Sequence, residues 1–165
     1  MKSIRTIVVD DESAARSRVV RLLNMDPDIR VVAECRNGQE ALAAIQQEPV
    51  DLVYLDVQMP QLSGFDVVSR FSPGQSPFVV FVTAHDRYAT KAFDVNAVDY
   101  LLKPYDDDRF FTALARAKDF IEMRENKRLT GRLMDLVQDH LNTRREYTQV
   151  IVIKEKGREY RVPVK

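Results

Sequence analysis

Apolar and polar positions fall in blocks along this chain, and the block type changes with a regular beat. IRTIVV (residues 4–9) is short, β-branched and apolar, the pattern of a strand covered on both faces. ESAARSRVVRLLNM follows, with Ala15, Val19, Leu22 and Leu23 at helical spacing, and DPD breaks it. The alternation then repeats. IRVVAEC (29–35) predicts a strand, and GQEALAAIQQE (38–48) a helix with Ala41, Leu42 and Ile45 inward and Pro49 closing it. VDLVYLD (50–56) predicts a strand, and GFDVVSRF (64–71) a short helix before the loop SPGQSP. FVVFVT (78–83) predicts a two-sided apolar strand, DRYATKAFDV (86–95) a weaker helix, and AVDYLLK (97–103) a fifth strand. DDDRFFTALARAKDFIEMRENKR (106–128) predicts a long helix, whose acidic first turn suits the helix dipole. Five strands alternating with five helices predict an α/β fold, a doubly wound parallel sheet with right-handed crossovers. Chemistry in such sheets gathers outside the carboxyl ends of the strands.

Beyond residue 128 the pattern changes. Leu129, Leu133, Leu136 or Val137, and His140 or Leu141 can share a helical stripe, with Gly131 weakening the helix locally. YTQVIVIKEKGREYRVPVK then predicts a hairpin turning at Lys156-Gly157. A two-stranded hairpin is marginal alone in water, so it needs a surface to pack on. Charge divides along the same line. Residues 1–120 carry 14 basic and 18 acidic side chains, and residues 121–165 carry 11 and 7. An acidic body with a basic tail suggests two functional parts, although solvated surface charge explains the balance equally well.

A single cysteine, Cys35, ends an apolar run; it excludes an internal disulfide and suits a small buried side chain in a reducing compartment. The apolar stretch near the N-terminus is too short for a signal peptide, and no run approaches the ~20 residues of a membrane span. A cytoplasmic location is the expectation.

At the carboxyl ends of the predicted strands stand Asp10, Asp11 and Glu12 (strand one), Asp56 (strand three), Thr83 (strand four) and Lys103 with Pro104 (strand five). Each has an ordinary explanation: Asp10 and Asp11 as caps of the first helix, Asp56 as the cap of a turn, Thr83 as a strand residue, Lys103 as surface charge. Their joint occurrence at strand ends argues otherwise. Three carboxylates in one cleft raise one another's pKa unless a cation joins them, and Mg2+ takes one or two carboxylates while keeping room for water and a phosphate oxygen. With a lysine for charge, a hydroxyl for position and a carboxylate to attack, the set describes a phosphoryl site.

These residues carry a resemblance. VVDDE, LDVQMPQLSGFD, FVTA and DYLLKP, spread over residues 4 to about 122, resemble the receiver domain of bacterial two-component response regulators. The resemblance implies a flavodoxin-like sheet of strand order 2-1-3-4-5. It implies that Asp56 is the phosphoacceptor, and that Asp11, Asp56 and the backbone carbonyl of Gln58 hold Mg2+ or Mn2+, with Asp10 acting through a metal-bound water. Thr83 and Tyr100 match the switch hydroxyl and aromatic, Lys103 the phosphate-binding lysine, and Ala84 and His85 the positions governing access to the phosphoryl group. A cis Lys103–Pro104 bond is implied as well. No other cofactor is expected, and the only turnover expected is self-phosphorylation and autodephosphorylation. A sensor histidine kinase is the implied donor, with homodimerisation on phosphorylation. For the dimer, Lys91, Asp99 and Arg116 are candidates for salt bridges between subunits.

QVIVIKEKGREYRVPVK is similar to the opening strands of a LytTR-type DNA-binding domain. The resulting division is a receiver over 1–122, a helical linker over 123–145 and the incomplete start of a β-rich, DNA-binding effector over 146–165. The competing classes are a stand-alone receiver acting by protein contact, a haloacid-dehalogenase-like phosphatase and a flavodoxin-like cofactor module. The phosphatase wants Asp-x-Asp after strand one, where this chain has adjacent Asp10-Asp11. The cofactor module wants a Gly/Ser/Thr-rich loop there, where DDES would repel phosphate.

Overall fold

The computed structural model describes residues 2–74, 76–95, 97–147, 150–155 and 158–163. Strands β1 (Ile4–Val9), β2 (Ile29–Cys35), β3 (Leu52–Asp56), β4 (Phe78–Thr83) and β5 (Asp99–Leu102) form one parallel sheet in the order β2-β1-β3-β4-β5. Between them run α1 (Ser13–Leu23), α2 (Gly38–Gln47), α3 (Gly64–Ser69) and α4 (Ala89–Asp94), and α5 (Asp107–Tyr147) follows β5. This is the expected α/β doubly wound sheet in the expected order. The differences lie at element ends. β5 is four residues rather than seven, and the helix expected over 86–95 is a 3-10 turn, Asp86–Tyr88, followed by α4.

Strand alternation builds two cores. Val8, Tyr54, Val80, Val82 and Leu101 face α1 and α5, where Leu22, Leu23, Phe110, Leu114 and Ala117 meet them. Ile7, Val9, Val53, Leu55 and Phe81 face the opposite way, onto Ala41, Phe65, Val67 and Ala92. Successive strand residues point to opposite faces, so unbroken apolar runs are what a sheet covered on both sides requires. The Tyr54 ring stacks on Phe110 with centroids 5.2 Å apart. Its hydroxyl is buried without a hydrogen-bond partner among the described residues, and burial pushes the phenol well above its ordinary range.

Lys118 anchors α5. Its ammonium lies 2.9 Å from both Asp26 and Asp28, in the turn between α1 and β2. These bonds also hold the Asp26 carboxyl below its usual range, against the opposing effect of burial.

The chain divides into two compact units, Met1–Glu122 and Met123–Lys165. The second contains the remainder of α5 and an antiparallel pair, β6 (Val150–Glu155) and β7 (Arg158–Pro163), in register from Val150↔Pro163 to Glu155↔Arg158. The turn expected at Lys156-Gly157 lies outside the described residues. The helix predicted over 106–128 and the stripe beyond it are one uninterrupted helix, α5, which runs through Gly131. A glycine costs about 1 kcal/mol in a helix interior, too little to break a run of good helix formers. Leu129, Leu133, Met134, Leu136, Val137 and Leu141 on this helix are all exposed.

Candidate functional site

The two-residue period that builds the cores also builds the site. Asp10 follows Val8, Asp56 follows Tyr54 and Lys103 follows Leu101 at strand spacing, so these three continue the α1/α5 face past the last core layer. Thr83 follows Phe81 on the other face, where Tyr100 also packs. Apolar residues thus end in charge where the strands reach solvent, and the sheet order sets those ends side by side.

Asp10, Asp11 and Asp56 each offer a carboxylate oxygen, and these oxygens lie within 4.8 Å of one another. Lys103 Nζ lies 2.9 Å from Asp10 Oδ2 and 3.7 Å from Asp56 Oδ2. Asp10 is buried, and each of its carboxylate oxygens has a partner. Its Oδ1 accepts from the Glu12 N–H, its Oδ2 from Lys103, and its carbonyl from Arg16 Nη1 at 2.8 Å. It does not cap α1 by the usual bond: the N-cap is Glu12, whose side chain makes no capping bond. Among the described residues, Asp56 accepts a single long bond, 3.3 Å, from the Gln58 N–H.

Burial pushes the Asp56 carboxyl up to about 7. The charges of Asp10 and Asp11 push the same way, while Lys103 and the Gln58 N–H pull back. Burial alone would lower the Lys103 ammonium, but its bond to Asp10 and the charge of Asp56 hold it above its ordinary range. One lysine therefore leaves the three carboxylates under-compensated. All available donors are hard oxygens, a set that suits Mg2+ or Mn2+ rather than a soft metal.

A testable consequence is that Mg2+ binding tightens as pH rises from 6 to 8, because Asp56 must lose its proton to become a ligand. Calorimetry in buffers of different ionisation enthalpy should register proton release near pH 6.5. Asp11→Ala should weaken binding by about tenfold or more, since even outer-shell partners of a metal carry that much. Unchanged affinity in that variant would return Asp11 to the role of an ordinary surface acid.

The residues expected as switch and access positions cluster at the end of β4. Thr83 is fully buried, and its Oγ1 accepts from the His85 N–H at 3.4 Å. The Tyr100 hydroxyl donates to the His85 carbonyl. Ala84 is exposed and lines a cleft of about 370 Å3 with Ala15, Arg18, Lys103, Pro104 and Tyr105. The Lys103–Pro104 peptide is cis, as the resemblance implied.

The loop after Asp56 turns sharply before α3. Its left-handed residue is Gln61, with φ 71°, and not a glycine. Gly64 serves by closeness: its N–H donates to the Val57 carbonyl at 2.9 Å, and a Cβ there would lie 2.5 Å from the Asp56 carbonyl oxygen. α3 then begins in a capping box, with Ser63 Oγ accepting from the Asp66 N–H and the Asp66 carboxylate from the Ser63 N–H.

Asp99 and Arg116, expected to exchange between subunits, are paired within the chain. Asp99 takes both terminal nitrogens of Arg109, at 2.7 and 2.9 Å, and Arg116 Nη1 at 3.1 Å. Arg109 also donates to the Tyr100 carbonyl. Lys91 lies over the Phe65 ring, 4.7 Å from its centroid. Residues that sequence reasoning passed over are Arg16, which pins the Asp10 backbone, Arg109, and Tyr88, whose hydroxyl meets the Gln58 side chain. Each is half-buried on a helix or turn, at a position where a polar residue needs no explanation, so the pattern carried no signal for them.

The profile of the family described as response regulator receiver domain matches residues 6–115. An uncharacterized response regulatory protein of Yersinia pestis is 46% identical over 119 residues, which are 72% of this chain and 50% of that protein. The transcriptional regulatory protein BtsR of Escherichia coli (strain K12) is 43% identical over 115 residues, 70% of this chain and 48% of that one. Among solved structures, the response regulatory domain of protein mrkE from Klebsiella pneumoniae superposes with a TM-score of 0.67 at 32% identity, covering 72% of this chain and 98% of that one. The chain spans about half the length of the curated relatives it matches.

Proposed function

The chain belongs to the response regulator receiver family, and on that premise we propose that it accepts a phosphoryl group on Asp56 from a sensor histidine kinase and relays the change to a transcriptional output. The observation that carries this reading is the convergence of Asp56 with Asp10, Asp11 and Lys103 at the strand ends. An Asp56 carboxylate oxygen attacks the phosphorus, the P–N bond of the donor phosphohistidine breaks, and its electron pair leaves with the imidazole. Asp11, Asp56 and the Gln58 carbonyl would hold Mg2+, with Asp10 reaching it through water; the ion supplies charge neutralisation on the phosphoryl oxygens. Lys103, already drawn between Asp10 and Asp56, turns to a phosphoryl oxygen. The Thr83 hydroxyl donates to another, and Tyr100 follows into the space it leaves, because packed interiors tolerate few voids. Ala84 leaves room for the phosphoryl group, and His85 lies beside its approach. The chain acts as a phosphoacceptor and not as an enzyme on other substrates.

The output is read as DNA binding through a LytTR-like domain that β6 and β7 begin. Relatives named transcriptional regulatory proteins support this reading, as does the basic excess beyond residue 120. The exposed apolar residues of α5 from Leu129 to Leu141 are read as a contact with a second copy on phosphorylation.

Incubation with Mg2+ and acetyl phosphate tests the acceptor: mass spectrometry should place one acyl phosphate on Asp56. Label elsewhere, or none, would reject the assignment. Sedimentation with and without beryllofluoride tests the dimer; a monomer in both states would make the stripe an intramolecular surface.

A further inference from the structure

Asp10 is held through its backbone as well as its side chain. Its N–H donates to the Cys35 carbonyl at 3.1 Å, and its carbonyl accepts from Arg16 Nη1 at 2.8 Å. Arg16 lies on α1, and its guanidinium reaches back past the start of that helix to the end of β1. Glu34 on β2, opposite Val8 in the sheet register, faces the same guanidinium, with its Oε1 3.7 Å from Arg16 Nε. The carbonyl that Arg16 holds belongs to the peptide joining Asp10 to Asp11. A peptide is planar, so fixing its oxygen fixes the plane that carries the Asp11 nitrogen and Cα. Asp11 is exposed where Asp10 and Asp56 are buried, yet its carboxylate oxygen lies within 4.8 Å of theirs. Like charges this close repel, and an exposed carboxylate is the one free to turn away into water.

We propose that Arg16 is a positioning residue of the metal site: through the Asp10 carbonyl it sets the Asp10–Asp11 peptide, keeps the Asp11 carboxylate turned toward Asp56, and so strengthens Mg2+ binding. The inference rests on the reading of Asp11 and Asp56 as metal ligands. Charge and position act in opposite directions here. A guanidinium beside a cation site repels the cation, so Arg16 as a charge alone weakens Mg2+ binding, and its removal tightens it. Arg16 as a holder of backbone does the reverse, because its removal leaves a ligand loose. Position prevails for two reasons. Glu34 offsets the guanidinium charge, and Arg16 spends its short bond on a carbonyl oxygen rather than on a ligand carboxylate. Groups that hold a ligand without touching the metal carry about 10- to 100-fold in affinity.

The test measures Mg2+ affinity at pH 8 by calorimetry, in the full chain, for wild type, Arg16→Gln, Asp11→Ala and the double variant. Arg16→Gln should bind Mg2+ on the order of tenfold more weakly than wild type. A merely structural role would lower the melting temperature and leave the affinity of the folded protein alone. Asp11→Ala removes the ligand through which Arg16 acts, so Arg16→Gln should bring no further loss in that background. Tighter or unchanged binding in Arg16→Gln overturns the proposal, as does a further loss in the double variant. A second measurement needs no variant and holds if Arg16→Gln does not fold. In wild type, the Arg16 Nη protons should exchange with water more slowly, by NMR, than those of Arg36, whose guanidinium is exposed. Equal exchange would show that the bond to the Asp10 carbonyl is not kept in solution and would overturn the proposal. If wild type binds no Mg2+, the metal reading falls and this inference with it. A wild type that binds Mg2+, with Arg16→Gln indifferent, removes this inference alone.

Discussion

Asp56→Asn is expected to take no phosphoryl group and, without metal at pH 8, to melt at a higher temperature than wild type. The first effect follows from losing the nucleophile: an amide nitrogen or oxygen does not replace a carboxylate in phosphoryl transfer. The second follows from the raised carboxyl. Asp56 titrates near 7 in the folded protein, whereas an unfolded chain ionises it near 3.8. Between those values the folded state holds the extra proton, so stability falls as pH rises through the window, and above 7 the full penalty of a buried, crowded carboxylate is present. Asparagine cannot ionise and escapes it. Wild type and variant should therefore melt alike near pH 4 and diverge as pH rises to 7. The gap above that is on the order of 2–4 kcal/mol. Lys103 keeps its 2.9 Å bond to Asp10 in the variant, so no cation is stranded. Added Mg2+ should close the gap by stabilising wild type, since a ligand that binds only the folded state adds to its stability by mass action. A variant less stable than wild type at pH 8 without metal would contradict this account of the site's charge.

Gly64→Ala is expected to damage the site from behind. The added Cβ would meet the Asp56 carbonyl oxygen at 2.5 Å and the Val57 Cα at 3.1 Å, and both are backbone atoms at the strand end that presents the Asp56 carboxylate. Neither can give way by a change of rotamer, so the loop must lift off the strand and take the Asp56–Val57 peptide with it. Overpacking of this kind costs about 1–3 kcal/mol or more. Because the displaced segment carries Asp56 and Gln58, Mg2+ affinity and labelling should fall together with stability. Gly131→Ala is the control. Nothing lies within 4 Å of a Cβ there, and an exposed helix interior favours alanine by about 1 kcal/mol. Chemical denaturation of both variants, with Mg2+ titration of each, checks the contrast; a harmless Gly64→Ala would show that the close approach is not maintained in solution.

The sheet was legible because its strands are apolar on both faces and its helices on one, which leaves few ways to arrange them. The meeting of Asp10, Asp11, Asp56 and Lys103 was legible for a related reason: a charged residue directly after a buried run marks where a strand leaves the core. What escaped the sequence is decided in three dimensions. Gln61 adopts a left-handed backbone without being glycine, because the loop must return to put Gly64 against Asp56. Arg16, six residues after Asp10 and on the next helix, reads as surface charge until the fold brings its guanidinium to the Asp10 carbonyl. Asp99 and Arg116 look like free partners for another subunit, and only the structure shows that they pair within the chain, with Arg109 as a second partner of Asp99. The helical linker expected over 123–145 is continuous with the helix before it, because one glycine weakens a run of good helix formers without breaking it.

The order in which the strands leave the ribosome bears on the lysine at the end of β5. β1, β2 and β3 are neighbours in the sheet, so the first part of the chain to emerge brings Asp10, Asp11 and Asp56 together. Their lysine lies 47 residues beyond Asp56, after β4 and β5. Of the cations at the site, Arg16 on α1 emerges with these strands, whereas the lysine that meets the Asp10 and Asp56 carboxylates comes last. Domains generally fold as units as the N-terminal part emerges first. The strand that completes the sheet thus also carries the ammonium that lies between Asp10 and Asp56.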